Sequence, residues 1–201
     1  MTGAIVMNCN PFTLGHKYLI EQAVKQVDYL YIFVVEEDKS DFSFNDRLFL
    51  VEEDTKSLSN VSVLRSGKYI ISAVTFPEYF IKDSLKEIPI DPSMDIEIFA
   101  KQIAPVLHIS KRFVGHEPFD PVTRQYNQMM KSILPKHGIQ LIEFERVNDS
   151  VNGNALISAS KVRALMKENR WEDIKTLVPE TTYVYLKNRT SRDIEPLIRY
   201  E

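Results

Sequence analysis

Thr13, Gly15 and His16 fall within one stretch, Met7-Asn8-Cys9-Asn10-Pro11-Phe12-Thr13-Leu14-Gly15-His16, which follows the apolar run Gly3-Ala4-Ile5-Val6 and opens a helical pattern. A strand that enters a helix through such a loop presents backbone N–H groups and the positive end of the helix dipole to an anion. Thr13 and His16 are three apart and share a face of the first turn. Gly15 has no side chain to keep a phosphate or a flat ring from the backbone. An uncharged His16 imidazole could donate a hydrogen bond to a phosphate oxygen, and a protonated one could also neutralise charge as pyrophosphate leaves. The second such stretch is Ile157-Ser158-Ala159-Ser160-Lys161-Val162-Arg163. Ser158 is a natural N-cap that leaves N–H groups at the helix start available, Ser160 adds a hydroxyl, and Lys161 and Arg163 add charge. Two such helix starts could hold the α-phosphate and the β,γ-phosphates of one nucleotide separately.

The elements that must position these residues are legible as apolar runs separated by helical stretches. The runs lie at about Ala4 to Met7, Tyr29 to Val35, Val61 to Leu64, Arg112 to Gly115 and Gln140 to Phe144. Continuous β-branched and aromatic runs alternating with helices predict an α/β fold with a parallel sheet covered on both faces. A first helix is expected over about Gly15 to Gln26 and a second over about Phe44 to Lys56, with a later one running through Tyr126, Met130 and Ile133. Right-handed crossovers make this a doubly wound sheet, whose ligands bind beyond the carboxyl ends of the strands at the switch point. Between Ser66 and Ile109 the alternation lapses. That excursion is expected to be a functional loop or lid with some helix of its own, the last part, Met94 to Leu107, being helical until Pro105 disturbs it.

With 201 residues, 44% of them hydrophobic, the chain suits one sizeable domain, read here as residues 1–201. A net charge of −3 and the lack of a long Lys/Arg block argue against a nucleic-acid partner. The single cysteine, Cys9, excludes an intrachain disulfide and a Cys-rich zinc site. No window approaches the length of a membrane span, so no membrane partner and a cytoplasmic location are expected.

Other residues near these stretches carry plainer readings. Cys9 is expected to be a small buried thiol rather than a nucleophile. His108, His116 and His137 lack metal-ligand spacing to one another, and only His116 lies close enough to a strand end to keep in view. The run Glu36-Glu37-Asp38 could hold metal but reads more simply as a solvated loop. No side chain is assigned to a metal. Arg47 could reach phosphate or pair with Glu52 or Asp54. Tyr69, Phe76, Tyr79 and Phe80 could wall an acyl pocket or pack a lid against the body. No Ser with a strained elbow and a partner His suggests a hydrolase triad.

Together the two stretches resemble the Rossmann-like, HUP-type nucleotidyltransferase superfamily, whose signatures read (His/Thr)-x-Gly-His and Ile-Ser-x-Ser-x-x-Arg/Lys. They stand here as Thr13-Leu14-Gly15-His16 and Ile157 to Arg163. A closer resemblance covers nearly the whole chain through Met7 to Thr13, Phe33-Val34-Val35-Glu36-Glu37-Asp38, Arg112-Phe113-Val114-Gly115, Val122-Thr123-Arg124-Gln125-Tyr126-Asn127 and Ile157 to Arg163. It is similar to the catalytic part of the citrate lyase ligases.

The resemblance implies an enzyme that activates acetate with ATP and Mg²⁺ as acetyl adenylate, releasing pyrophosphate. It then acetylates the phosphopantetheine-like thiol of the citrate lyase acyl-carrier subunit, releasing AMP. It also implies that His16 contacts the α-phosphate region, that Thr13, Asn8, Asn10 and Gly15 help to form that cradle, and that Ser158, Ser160, Lys161 and Arg163 hold the pyrophosphate end. Lys39 takes a weaker role on the acid or phosphate. Asn10 departs from the Asp that much of the superfamily carries before the loop proline, which weakens a Mg²⁺ role there. Family members usually carry an N-terminal acetyltransferase-like domain, expected to be absent here because the chain begins almost at its first strand. Two other functions fit the same cradles: an adenylyltransferase joining AMP to a phosphate acceptor such as phosphopantetheine, and a non-catalytic nucleotide-binding module.

Overall fold

The computed structural model describes residues 1–36, 40–80, 90–146 and 156–194, with side chains to residue 189. Five strands, β1 (Thr2–Met7), β2 (Tyr29–Val34), β3 (Val61–Arg65), β4 (Ile109–Gly115) and β5 (Gln140–Phe144), form one parallel sheet in the order β3-β2-β1-β4-β5. In register, Ile5 lies between Ile32 of β2 and Phe113 of β4. The chain winds from β1 outward through β2 to β3, then returns to β4 on the other side of β1. The loops after β1 and β4 therefore diverge and leave a crevice at the carboxyl ends of the two strands.

Alternation along the strands sends side chains to two cores. On one face, Ile5, Leu30, Ile32, Val34 and Phe113 pack with Ile20 and Ala23 of α1 (Leu14–Val24) and Leu50 and Val51 of α2 (Phe44–Thr55). On the other, Ala4, Phe33 and Val35 pack with Ile96 of α3 (Ser93–Ile98) and Tyr126, Met130 and Ile133 of α4 (Pro121–Ile133). Gly3 is required by this packing: a Cβ there would lie 2.6 Å from the Phe113 ring, whose own face stacks on Phe144.

The expected strands and first two helices are present, each end within a few residues of the sequence reading. In the excursion, α3 passes into a π-helical turn over Phe99–Ile103 that stops before Pro105, as the missing N–H of proline requires. Asp95, fully buried, fastens this region by accepting from Ile71 N at 2.5 Å, Thr75 Oγ1 at 2.6 Å and Tyr126 Oη at 2.6 Å. Beyond α5 (Ala159–Lys167) the sequence reading had assigned nothing. Here α6 (Trp171–Lys175) and α7 (Glu180–Ile194) fold back, and Ile174, Leu177, Tyr183 and Leu186 close a third cluster around Phe42, Ile157, Val162 and Leu165. That cluster ties the start of α5 to the sheet: the Leu14 N–H at the start of α1 donates to the Leu177 carbonyl at 2.9 Å. Among the described residues, no helix is long and apolar enough to cross a membrane.

Candidate active site

The crevice holds a cavity of about 870 Å³. Its wall includes Asn8, Asn10, Thr13, Gly15 and His16 from the β1–α1 segment and Ser158, Ser160 and Arg163 from the start of α5, so residues some 150 positions apart face one space. The two helix starts abut closely: a Cβ on Gly15 would lie 3.5 Å from the Ile157 carbonyl and 3.5 Å from Thr13 Oγ1. That is ordinary contact, so nothing in the protein itself demands glycine there, and its missing side chain matters toward the cavity.

Each helix is capped by its own sequence. Thr13 Oγ1 accepts the His16 N–H at 3.4 Å, and the Thr13 N–H donates back to His16 Nδ1 at 3.0 Å, completing a reciprocal capping box. Because Nδ1 accepts from the backbone, the ring proton of the neutral imidazole resides on Nε2. Burial, and secondarily the positive charge of Arg146, lower the His16 pKa to about 4, so the imidazole is neutral at physiological pH. It is a neutral donor aimed by its cap. At the second helix, Ser158 Oγ accepts the Lys161 N–H at 3.2 Å. The Lys161 side chain does not line the cavity.

The loop between β1 and α1 is held by Arg47, which is fully buried. Its Nη1 donates to Asn8 O at 3.0 Å, Asn8 Oδ1 at 2.8 Å and Val35 O at 2.7 Å, and its Nε donates to Phe42 O at 3.1 Å. Neither sequence-level reading of Arg47 describes this. Arg47 does not line the cavity, and Asp54 pairs with Lys17 at 3.5 Å. Asn8 is engaged further with Ser40, its Nδ2 donating to Ser40 Oγ at 3.2 Å. Asn10 Oδ1 accepts the Phe42 N–H at 3.2 Å, and its Nδ2 donates to Asp41 Oδ2 at 3.2 Å. Arg163 bridges the two helix starts, donating to Asn10 O at 2.7 Å and to Ser160 Oγ at 3.3 Å while its Nε lies 2.9 Å from Asp41 Oδ2.

Cys9 is buried 1% exposed beneath this loop, and desolvation pushes its thiol far above the ordinary range, which leaves it a packing residue. His116 turns to Glu143, at 3.5 Å, and does not line the cavity. Of the aromatic residues in the excursion, Phe76 is core, Tyr79 and Phe80 reach the cavity wall, and Tyr69 is exposed. Lys39, Glu37 and Asp38 lie outside the described residues. Among the described residues, no group of three His, Cys, Asp or Glu side chains is arranged to hold a metal ion.

Six charged residues that line the cavity carry no site role in the sequence analysis: Asp41, Arg112, Glu117, Asp120, Glu145 and Arg146. Arg146 pairs with Glu117 across the β4 and β5 loop ends and donates to the His116 carbonyl at 2.7 Å. Both lie just past a strand's carboxyl end, the one signal that could have drawn attention to them.

Residues 2–186 match the family described as the citrate lyase ligase C-terminal domain. A [citrate [pro-3S]-lyase] ligase of Klebsiella pneumoniae is 44% identical over 188 residues, 92% of this chain and 54% of that protein, so the chain spans about half the length of the curated relatives it matches. Two solved structures share the fold. One is TmcAL of Thermotoga maritima bound with α-thio ATP, with TM-score 0.56 and 17% identity over 95% of this chain and 56% of that one. The other is a putative nicotinate-nucleotide adenylyltransferase of Vibrio parahaemolyticus, with TM-score 0.57 and 15% identity over 98% and 96% of the two chains. The Rossmann-like sheet is thus a fold shared with these two structures, and by the match over nearly its whole length this chain belongs to the citrate lyase ligase C-terminal domain family.

Proposed function

We propose that this domain catalyses the adenylate-forming reaction of an ATP-dependent acid–thiol ligase. The observation that carries the reading is the pairing of two capped helix starts around one cavity, with the neutral His16 donor on one side and Arg163 on the other. A relative named [citrate [pro-3S]-lyase] ligase supports citrate lyase as the protein acted upon, and acetate is the acid that the resemblance to the citrate lyase ligases implies. The ATP analogue bound by the TmcAL protein supports the fold's capacity for ATP and no more than that.

In this reading, an acetate oxygen attacks the α-phosphorus, the bond from that phosphorus to the bridging oxygen breaks, and pyrophosphate leaves with the electron pair. The Nε2–H of His16 donates to an α-phosphate oxygen as charge builds there, while Arg163 and the helix-start N–H groups other than those of Leu14, His16 and Lys161, which bond within the protein, hold the rest of the triphosphate. Arg163 must exchange its contact with Asp41 for phosphate. Mg²⁺ would be carried chiefly by the substrate phosphates and water, where it would screen their charge, in keeping with the lack, among the described residues, of three His, Cys, Asp or Glu side chains arranged to hold a metal. The thiolate of a phosphopantetheine-like arm on the acyl-carrier subunit then attacks the acyl carbon, forming the thioester and expelling AMP. No residue of the protein becomes acylated. The reaction belongs to the cytoplasm, in keeping with ATP as substrate and with Cys9 as a free thiol.

The test is a product assay with ATP, Mg²⁺ and acetate, hydroxylamine trapping the activated acyl group and chromatography following AMP. Acetate-dependent AMP and acetyl hydroxamate are expected, with a fall of about a hundredfold or more in His16→Ala against a much smaller loss of ATP affinity. Transfer of AMP onto an added phosphate acceptor such as phosphopantetheine would move the assignment to an adenylyltransferase. ATP binding without any turnover would leave a nucleotide-binding module.

A further inference from the structure

The deep side of the cavity holds a charge that nothing proposed above uses. Arg112 rises from the middle of β4, opposite Ala4 of β1 and three residues short of Gly115 at the strand's carboxyl end. It is 2% exposed, lines the cavity, and lays its guanidinium over the Phe99 ring with Cζ 4.5 Å from the centroid. Its Nε and Nη1 are buried with no hydrogen-bond partner among the described residues. Asp95 is the nearby negative charge, yet its oxygens accept from Ile71, Thr75 and Tyr126, so it offsets the charge of Arg112 at longer range without supplying an acceptor. A buried guanidinium with unmade hydrogen bonds is costly, and an arginine whose only close partner is an aromatic ring is set to receive a ligand.

We propose that Arg112 is the carboxylate-recognition residue of the acid substrate, holding one carboxylate oxygen while the other is presented to the α-phosphate. The inference rests on the ligase reading above and names where its acid binds. A planar guanidinium suits a carboxylate, and the surrounding wall of Val6, Val35, Ile71, Val114 and Met130 suits a short apolar tail. The triphosphate anchors lie at the strand ends by the two helix starts. The Arg112 Cα lies three residues, about 10 Å, below the carboxyl end of β4, on the sheet side of that end.

The experiment titrates ¹³C-acetate into the protein loaded with an ATP analogue whose α,β-bridging oxygen is replaced by methylene, and reads binding by NMR. The wild type is expected to bind acetate. Arg112→Met, close in volume, should weaken it at least about thirtyfold, and Arg112→Lys about tenfold, with analogue affinity changed less than about threefold in both. Acetate that fails to bind the wild type, or binds Arg112→Met as tightly, overturns the proposal. If Arg112→Met does not fold, Arg112→Lys decides by the same criteria. Acetate binding that depends on Arg112 in a protein making no acetate-dependent AMP would uphold the carboxylate subsite and remove the ligase reading.

Discussion

Thr13 and His16 bond each other in both directions: the His16 N–H donates to Thr13 Oγ1, and the Thr13 N–H donates to His16 Nδ1. A helix cap thereby sets the tautomer of the side chain that faces the cavity, coupling the start of α1 to the chemistry.

The first prediction concerns pH. His16 titrates near 6.5 in an unfolded chain and at about 4 here, so as pH falls the unfolded state takes up the proton first. Its contribution to folding stability is complete above about pH 6.5, is lost through the window down to about pH 4, and amounts to on the order of 3 kcal/mol. Urea unfolding at a series of pH values should show this slope in the wild type and a shallower one in His16→Gln. Identical slopes would refute the neutral, half-buried imidazole.

Gly15 separates fold from ligand. Since a Cβ there makes only ordinary contacts at 3.5 Å, and alanine is the better helix former, Gly15→Ala should melt within a few degrees of the wild type. ATP affinity measured by calorimetry should nevertheless fall by about tenfold or more, because the methyl intrudes where the phosphate meets the backbone. Unchanged ATP affinity would remove Gly15 from the site.

Arg47 gives the opposite pattern. Replacing it by Met leaves the carbonyls of Asn8, Val35 and Phe42 without their donor, and a loss of about 3–5 kcal/mol in unfolding free energy is expected. A variant that keeps full stability in denaturant titration would contradict its role as the anchor of the β1–α1 loop.

Arg163 joins the two helix starts through Asn10 O, Ser160 and Asp41. Arg163→Lys retains the charge but cannot span these partners, so ATP affinity should fall about tenfold with little change in melting temperature. Asp41→Asn should move affinity the other way when assayed without Mg²⁺, since it frees the guanidinium for phosphate. No effect of either change on ATP binding would argue that the bridge is purely structural.

Much of this molecule is legible in its sequence. The strand Tyr29–Val34 is short, continuously apolar and flanked by helical periodicity, which is what burial on both faces of a parallel sheet demands. The caps Thr13 and Ser158 were equally visible, because a cap is made with residues only a few positions away. The two C-terminal helices are not legible in the sequence, since α6 has five residues and α7, though fifteen long, gains its stability by packing Tyr183 and Leu186 against a distant Phe42 and Ile157.

Sequence by itself determined the sheet, its switch point and the two helix starts, because those depend on local periodicity and local hydrogen bonds. Tertiary structure alone decided what each charge does. Arg47 and Arg163 bond backbone carbonyls 39 and 153 residues away, Arg146 bears on His16 from another strand end, and Nε and Nη1 of Arg112 have no acceptor among the described residues. A side chain's charge is printed in the sequence, but whether it is solvated, paired or buried depends on what long-range folding brings beside it.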